Sequence, residues 1–82
     1  MLDYKKCSIE DFNKAMENKD TDVKELSNEY LYILYTKFSA DASACFQAGT
    51  SYAMGLSMKS KNRVNTYKEE LHNRGINVFE RQ

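Results

Sequence analysis

Proline and tryptophan are absent from this 82-residue chain, which contains only three glycines. A protein built from β-strands needs many tight turns, and tight turns draw heavily on proline and glycine. The scarcity of both residues therefore favours helices over sheet, and we expect an all-α fold. The hydrophobic fraction of 41% is typical of a globular domain rather than of a disordered segment.

Cysteine and histidine are also scarce, with two and one residues respectively. Cys7 and Cys45 are far apart and match neither a disulfide framework nor the ligand spacing of a zinc site. The first letters, MLDYKK, lack the apolar run of a secretory signal, so we expect a reduced, cytoplasmic protein. His72 is expected near a helix end with no catalytic partner indicated. The sequence therefore predicts no catalytic residue, no metal site and no cofactor, which favours binding over enzymatic activity.

The charges cancel overall, with twelve basic and twelve acidic residues, but they are unevenly distributed. Residues 1–36 contain five lysines against eight acids, a balance of −3, whereas residues 59–74 contain five bases against two acids, a balance of +3. This asymmetry suits head-to-tail self-association or pairing within the chain. It does not indicate strong non-specific binding to nucleic acid or to anionic membranes.

The chain is one domain, and its first predicted helix covers about residues 8–18. Ser8 with Asp11 three residues later resembles a capping box. Apolar side chains then recur at helical spacing at Ile9, Phe12 and Met16. A domain this small buries only about 60–65% of its unfolded surface, so assembly into a homo-oligomer would supply additional burial.

Two longer helices are predicted downstream. Asp22 followed by Glu25 is a second capping signal and predicts a helix over 22–38. Apolar residues in this segment form a stripe, which comprises Val23, Leu26, Tyr30, Ile33 and Leu34. A third helix covers 40–73, because 38–41 contains a serine and an aspartate that could cap a new helix.

The end of the third helix is marked by Gly75, which suits the left-handed position that follows a helix. A kink near 59–62 is an alternative to the break at 38–41, as is an uninterrupted helix. The tail, 75–82, is expected to dock on the helices as a short extended segment, giving either a hairpin or a kinked rod.

Residues 38–58 form a stretch with a single charge, Asp41. A membrane span is disfavoured because too many serines, threonines and other polar groups interrupt it. A phosphate-binding loop is disfavoured because no lysine directly follows the second glycine, as that motif requires. Small residues at helical spacing instead predict close packing of helices or assembly of copies, with a ligand groove as the alternative; these residues are Ala44, Ala48, Gly49, Ser51 and Gly55.

The candidate binding residues are one tyrosine and one polar stripe. Tyr32 points away from the apolar stripe of its helix and is the first choice for a partner contact, since tyrosine is favoured where one end is buried and the other is wet. The polar stripe consists of Lys61, Arg63, Asn65 and Lys68. The competing interpretation of this stripe is an ordinary solvated helix face.

Three functional hypotheses follow from these features. The first is a small inhibitor or adaptor that masks a larger protein partner, a role common among small phage and mobile-element proteins that act on host factors or defence systems. The second is a homo-oligomer that binds a small anionic ligand such as a nucleotide between protomers. The third is nucleic-acid binding through the basic helix at 59–68.

Overall fold

The computed structural model describes residues 2–49, 51–76 and 78; for 46, 48, 51–54 and 57 it describes the backbone alone. Its elements are α1 (Ile9–Glu17), a one-turn 3-10 helix (Val23–Glu25), α2 (Asn28–Ala48) and α3 (Ser51–Asn73). The predicted all-α class is confirmed, with a short first helix followed by two longer helices that pack together. No strand occurs in the described part of the chain.

Helix α1 begins where its capping signal predicts. The Ser8 side chain accepts a hydrogen bond from the Asp11 backbone N–H at 3.1 Å. The expected apolar stripe is only partly buried, because Ile9 is the first helical residue and remains 80% exposed. Phe12 and Met16 pack against the core, and Ala15 between them is fully buried.

The second predicted helix starts later than expected. Asp22 does act as a cap, but it caps only the 3-10 turn, accepting a hydrogen bond from the Lys24 N–H at 3.1 Å. Leu26 then adopts an extended backbone and is buried. Ser27 caps α2 by accepting a hydrogen bond from the Tyr30 N–H at 3.2 Å. Two capping residues therefore compete within one short segment, and the second one begins the long helix.

The predicted break at 38–41 is wrong, since α2 runs through it without interruption. A residue that can cap a helix is also tolerated inside one, and here an i,i+4 ion pair joins Lys37 to Asp41 at 2.6 Å across the expected break. The helix ends instead at Gly49, whose φ of 72° lies in the left-handed region. Helix α3 likewise continues through 59–62.

Helices α2 and α3 form an antiparallel hairpin around the core. Leu31, Leu34 and Leu71 are fully buried. The rings of Phe38 and Tyr67 lie 6.1 Å apart between their centroids, joining the middle of α2 to the second half of α3. The first helix contacts α2, and the 3-10 helix contacts α3.

The end of α3 is a Schellman motif, as the placement of Gly75 predicts. The Gly75 φ is 81°, its N–H donates to the His72 carbonyl at 2.9 Å, and the Ile76 N–H donates to the Leu71 carbonyl at 2.9 Å. Ile76 and Val78 then pack against the core, which agrees with the expected docking of the tail. Phe79, also part of the tail that is expected to dock, lies outside the described residues.

The close packing predicted for the small residues does not occur within the chain at three of the five positions. Ala44, Gly49 and Gly55 are exposed. A Cβ atom added at Gly49 or Gly55 would meet nothing within 4 Å. Ala48 and Ser51 are the last residue of α2 and the first of α3, and their side chains lie outside the description. Assembly with a second copy through this region stays a prediction.

Candidate functional site

The described residues form an open surface groove of about 890 Å³. Its walls come from three parts of the chain: residues 3–5 before α1, one face of α2 from Tyr32 to Ser43, and one face of α3 from Lys61 to Asn65. We call it the tyrosine groove, because Tyr4, Tyr32 and Tyr35 all line it.

The α2 wall follows from helical geometry. Side chains three or four residues apart lie on the same face of a helix. The groove face contains, in this register, Tyr32, Tyr35, Thr36, Ser39, Ala40 and Ser43. Because α2 is continuous through 38–41, its aromatic half and its small polar half belong to one surface. A wide, shallow wall results, with tyrosine rings at one end and hydroxyls along it.

The N-terminal wall is held by two local hydrogen bonds and by one hydrogen bond to α2. The Asp3 Oδ1 accepts hydrogen bonds from the backbone N–H groups of Lys5 and Lys6 at 3.0 and 2.9 Å. The Tyr4 N–H donates to the Thr36 Oγ1 at 3.1 Å, which fastens the segment to α2. The Thr36 hydroxyl itself donates to the backbone of the preceding turn. Thr36 therefore links the N-terminal segment to the groove face.

The aromatic side chains of the groove differ in burial. The Tyr32 and Tyr35 rings are stacked, with centroids 6.4 Å apart and planes inclined by 30°. Tyr35 is only 6% exposed and belongs to the core, whereas Tyr4 and Tyr32 are half-buried. Within the described residues, the hydroxyls of Tyr4 and Tyr32 form no hydrogen bond. These two rings therefore offer a supported apolar face and a polar end.

The charged side chains that line the groove, among the residues the structure describes, are two lysines and one aspartate. Lys61 is exposed on the α3 wall, and the Lys5 ammonium lies 5.8 Å from the centre of the Tyr4 ring. Among residues 2–49, 51–76 and 78, no carboxylate lies within ion-pair distance of either ammonium. The groove has a net charge of +1, counted as two lysines minus Asp3.

The structure brings three of the predicted binding residues together in the tyrosine groove: Tyr32, Lys61 and Asn65. Arg63 lies elsewhere, beside a smaller hollow of about 450 Å³. Lys68 is half-buried on α3, lines neither hollow and has an interaction within the protein. The polar stripe of α3 is therefore divided between two surfaces rather than forming one.

Arg63 is occupied by contacts inside the chain. Its guanidinium contacts Asp20 at 2.8 Å, donates to the Lys19 carbonyl at 3.1 Å and lies 5.3 Å from the centre of the Phe38 ring. The hydrogen bond from Arg63 lowers the pKa of the Asp20 carboxyl below its ordinary value, and the same bond raises the pKa of Arg63. Opposite charges of the acidic and basic halves thus meet within one molecule here.

Tyr67 belongs to the same cluster. Its hydroxyl donates to the Lys19 carbonyl at 2.9 Å, and the residue is almost fully buried. Burial raises the pKa of this hydroxyl above its ordinary value, and the nearby Arg63 acts in the opposite direction. These contacts join α3 to the turn that follows α1, which gives the cluster a structural role.

Tyr4, Tyr35 and Thr36 line the groove but are not among the binding residues predicted from the sequence. A signal for two of them was present, because Tyr32, Tyr35, Thr36, Ser39 and Ser43 recur at the spacing of one helix face. The incorrect break at 38–41 divided this face between two predicted helices. Tyr4 has no such signal, since its position depends on how the N-terminal segment folds back on α2.

None of the helices formed by the described residues is long and apolar enough to cross a membrane. Within the same residues, no group of three or more histidine, cysteine, aspartate or glutamate side chains is arranged to hold a metal ion. Comparisons with protein-family models, with curated proteins and with solved structures found no match to this chain.

Proposed function

We propose that this protein is a non-enzymatic binding module that receives a segment of a larger protein partner in the tyrosine groove and acts as an inhibitor or adaptor. The observation that supports this function is the convergence of three tyrosines and two lysines from three parts of the chain on one open surface. Occupation of the groove would place the body of this protein over the partner's surface, which is how a small inhibitor masks a larger target.

The residues of the groove suit a protein ligand. Tyrosine contributes a large, rigid contact area and a polar end, and it is enriched among the residues that dominate binding energy at protein interfaces. Tyr32 is half-buried and stacked on Tyr35, so its ring is already positioned before a partner arrives. A ring ordered in advance loses less conformational entropy on binding than a free one.

Binding of nucleic acid through the basic helix has less support. Nucleic-acid interfaces rely on lysine and arginine side chains that neutralise phosphates. Arg63, the only arginine in 59–68, already contacts Asp20 and a backbone carbonyl. A nucleotide held between protomers is a separate hypothesis, and light scattering tests it because a monomer would contradict it.

A random peptide library displayed on phage tests the proposed function and does not require the partner to be identified first. We expect peptides that bind the immobilised protein and lose at least about 30-fold in affinity with Tyr32→Ala, since truncation of an anchoring aromatic ring costs about 2 kcal/mol or more. Tyr30→Ala is the matched control, because Tyr30 is a half-buried tyrosine of the same helix outside the groove.

A second pair of variants separates binding from folding. Ser43→Trp fills the groove from the α2 wall, whereas Gln47→Trp places the same side chain one turn later, outside it. Both original residues are exposed, so both variants are expected to fold. If the peptides bind Ser43→Trp and Gln47→Trp with equal affinity, their binding surface lies outside the tyrosine groove. A library that gives no binding peptide would contradict the proposed function.

A further inference from the structure

We propose that the segment bound in the tyrosine groove is acidic, with its carboxylates meeting the ammonium groups of Lys5 and Lys61. This inference rests on the proposed function and specifies the chemistry of the partner. It commits to one occupant, a carboxylate-bearing segment of another protein, whose apolar side chains would lie against Tyr32.

The charges at the groove complement an acidic segment. Lys61 is exposed on one wall and Lys5 on another, and within the described residues neither ammonium has a carboxylate partner. Asp3, the one acid among the described residues that line the groove, accepts hydrogen bonds from two backbone N–H groups through one carboxylate oxygen and thereby shapes the N-terminal wall. Two positive charges therefore face the groove while its one negative charge is used for local structure. A ligand with carboxylates complements this arrangement.

The groove is also rich in hydrogen-bond donors. The hydroxyls of Tyr4 and Tyr32, the amide of Asn65 and the two ammonium groups can all donate. Carboxylates accept hydrogen bonds through both oxygens and cannot donate when ionised. Bonds between such donors and an ionised acceptor are stronger than neutral ones. An acidic segment can therefore satisfy the groove more fully than a basic or an uncharged one.

The cations of the groove favour carboxylates over phosphates. Arginine is favoured at phosphate sites because its planar guanidinium binds two oxygens at once. Among the described residues, no arginine lines the groove. Arg63 pairs with Asp20, and Arg74 uses its guanidinium within the fold. Two lysines offset by one aspartate also form a weaker positive field than nucleic-acid interfaces present.

The test uses the peptides that the library selection yields. We expect the groove-binding peptides to be enriched in aspartate and glutamate. For one such peptide, Lys61→Glu should weaken binding about 5- to 30-fold, because reversal removes one attraction of surface-pair size and adds a repulsion of similar size. Lys5→Glu should act in the same direction. Raising the salt concentration should weaken binding as well.

Lys59→Glu is the matched control. Lys59 is an exposed lysine of the same helix and does not line the groove, so this variant changes the net charge equally. We expect the affinity of this variant for the peptide to stay within about twofold of the original value, since residues two apart on a helix do not share a face and an exposed charge that forms no direct pair contributes little. Circular dichroism of each variant verifies that the helices remain formed.

The outcomes separate this inference from the proposed function. Peptides that depend on Tyr32 but lack acidic residues, and that bind Lys61→Glu as tightly as the original protein, would leave the function standing and overturn the inference. Lys61-dependent binding of oligothymidine or of a phosphopeptide, with no binding of the unphosphorylated acidic peptide, would also overturn it. Failure to select any peptide would overturn both proposals.

Discussion

Replacement of Arg74 by methionine should destabilise the fold more than any other single loss of charge described here. The Arg74 guanidinium has five N–H donors, and each has an acceptor within hydrogen-bond distance. The acceptors are the Glu70 carboxylate at 2.9 Å, the Leu26 carbonyl at 2.7 Å, the Asn28 side chain at 2.8 Å, the Val23 carbonyl at 2.9 Å and the Lys24 carbonyl at 3.2 Å. This single side chain ties the end of α3 to the segment that precedes α2.

The expected cost of Arg74→Met is about 3 kcal/mol. Methionine retains much of the apolar stem, so the change removes the donors and the charge rather than the packing. Removal of one partner from a buried, hydrogen-bonded ion pair costs about 3–5 kcal/mol. The lower end applies because the side chains of Arg74 and Glu70 are 22% and 14% exposed. For a domain of this size, a loss of about 3 kcal/mol corresponds to a fall in Tm of about 12–24 °C.

Thermal unfolding followed by circular dichroism measures this effect, with Arg63→Met as the matched control. Arg63 also pairs with an aspartate, but the Asp20 side chain is 74% exposed. Arg63→Met should therefore lower the Tm by less than half as much as Arg74→Met does. Arg74→Lys should be intermediate, since lysine retains the charge but not the planar set of donors. A Tm for Arg74→Met equal to that for Arg63→Met would refute the reasoning.

Four further substitutions have expected outcomes. Gly49→Ala should destabilise the fold by about 1 kcal/mol, because the Gly49 φ of 72° is unfavourable for a residue with a Cβ atom. Gly55→Ala should stabilise the fold by about 0.5–1 kcal/mol, because Gly55 lies in an exposed helical turn with space for a Cβ atom. The two variants should shift the midpoint of urea unfolding in opposite directions. Thr36→Val removes the acceptor of the Tyr4 N–H and should speed hydrogen exchange of that amide, which unchanged exchange would contradict. Burial raises the pKa of the Tyr67 hydroxyl above its ordinary value of 10.0 in the folded state. The neutral hydroxyl therefore stabilises the fold below the unfolded-state pKa, and this stabilisation is lost as the pH rises through the folded-state pKa. Tyr67→Phe should remove this loss, so the Tm of the variant should fall less steeply with rising pH than that of the original protein.

The register of α2 shows where prediction from sequence succeeded and where it failed. Of the five residues in the predicted apolar stripe, Leu26, Ile33 and Leu34 are buried, and Val23 and Tyr30 are half-buried against the core; Val23 and Leu26 precede α2. The length of α2 was not predicted, because Ser39 and Asp41 can either cap a new helix or continue an existing one. Local propensity does not decide between these alternatives. Packing of α2 against α3 and the ion pair between Lys37 and Asp41 favour continuation.

Residues of the candidate site were predictable where a single helix face positions them, and not where a contact with a distant part of the chain does. Tyr32, Lys61 and Asn65 were identified by their places on helix faces, and the structure brings them to one groove. Tyr4 was not identified, because it reaches the groove only when the Thr36 hydroxyl accepts its N–H from 32 residues away. Arg63 resembled a surface ligand contact in sequence but pairs with Asp20, 43 residues away.

The sequence by itself determined the helical class, the cap at Ser8, the left-handed residue at Gly75 and the apolar positions of α2. These features depend on backbone preferences and on side chains within one or two turns, so a short window of residues specifies them. Only the tertiary structure decided where α2 ends, which bases pair within the chain, and which tyrosines share a surface. Each of these outcomes requires contacts between residues far apart in the chain, and only the folded packing of α2, α3 and the N-terminal segment selects them.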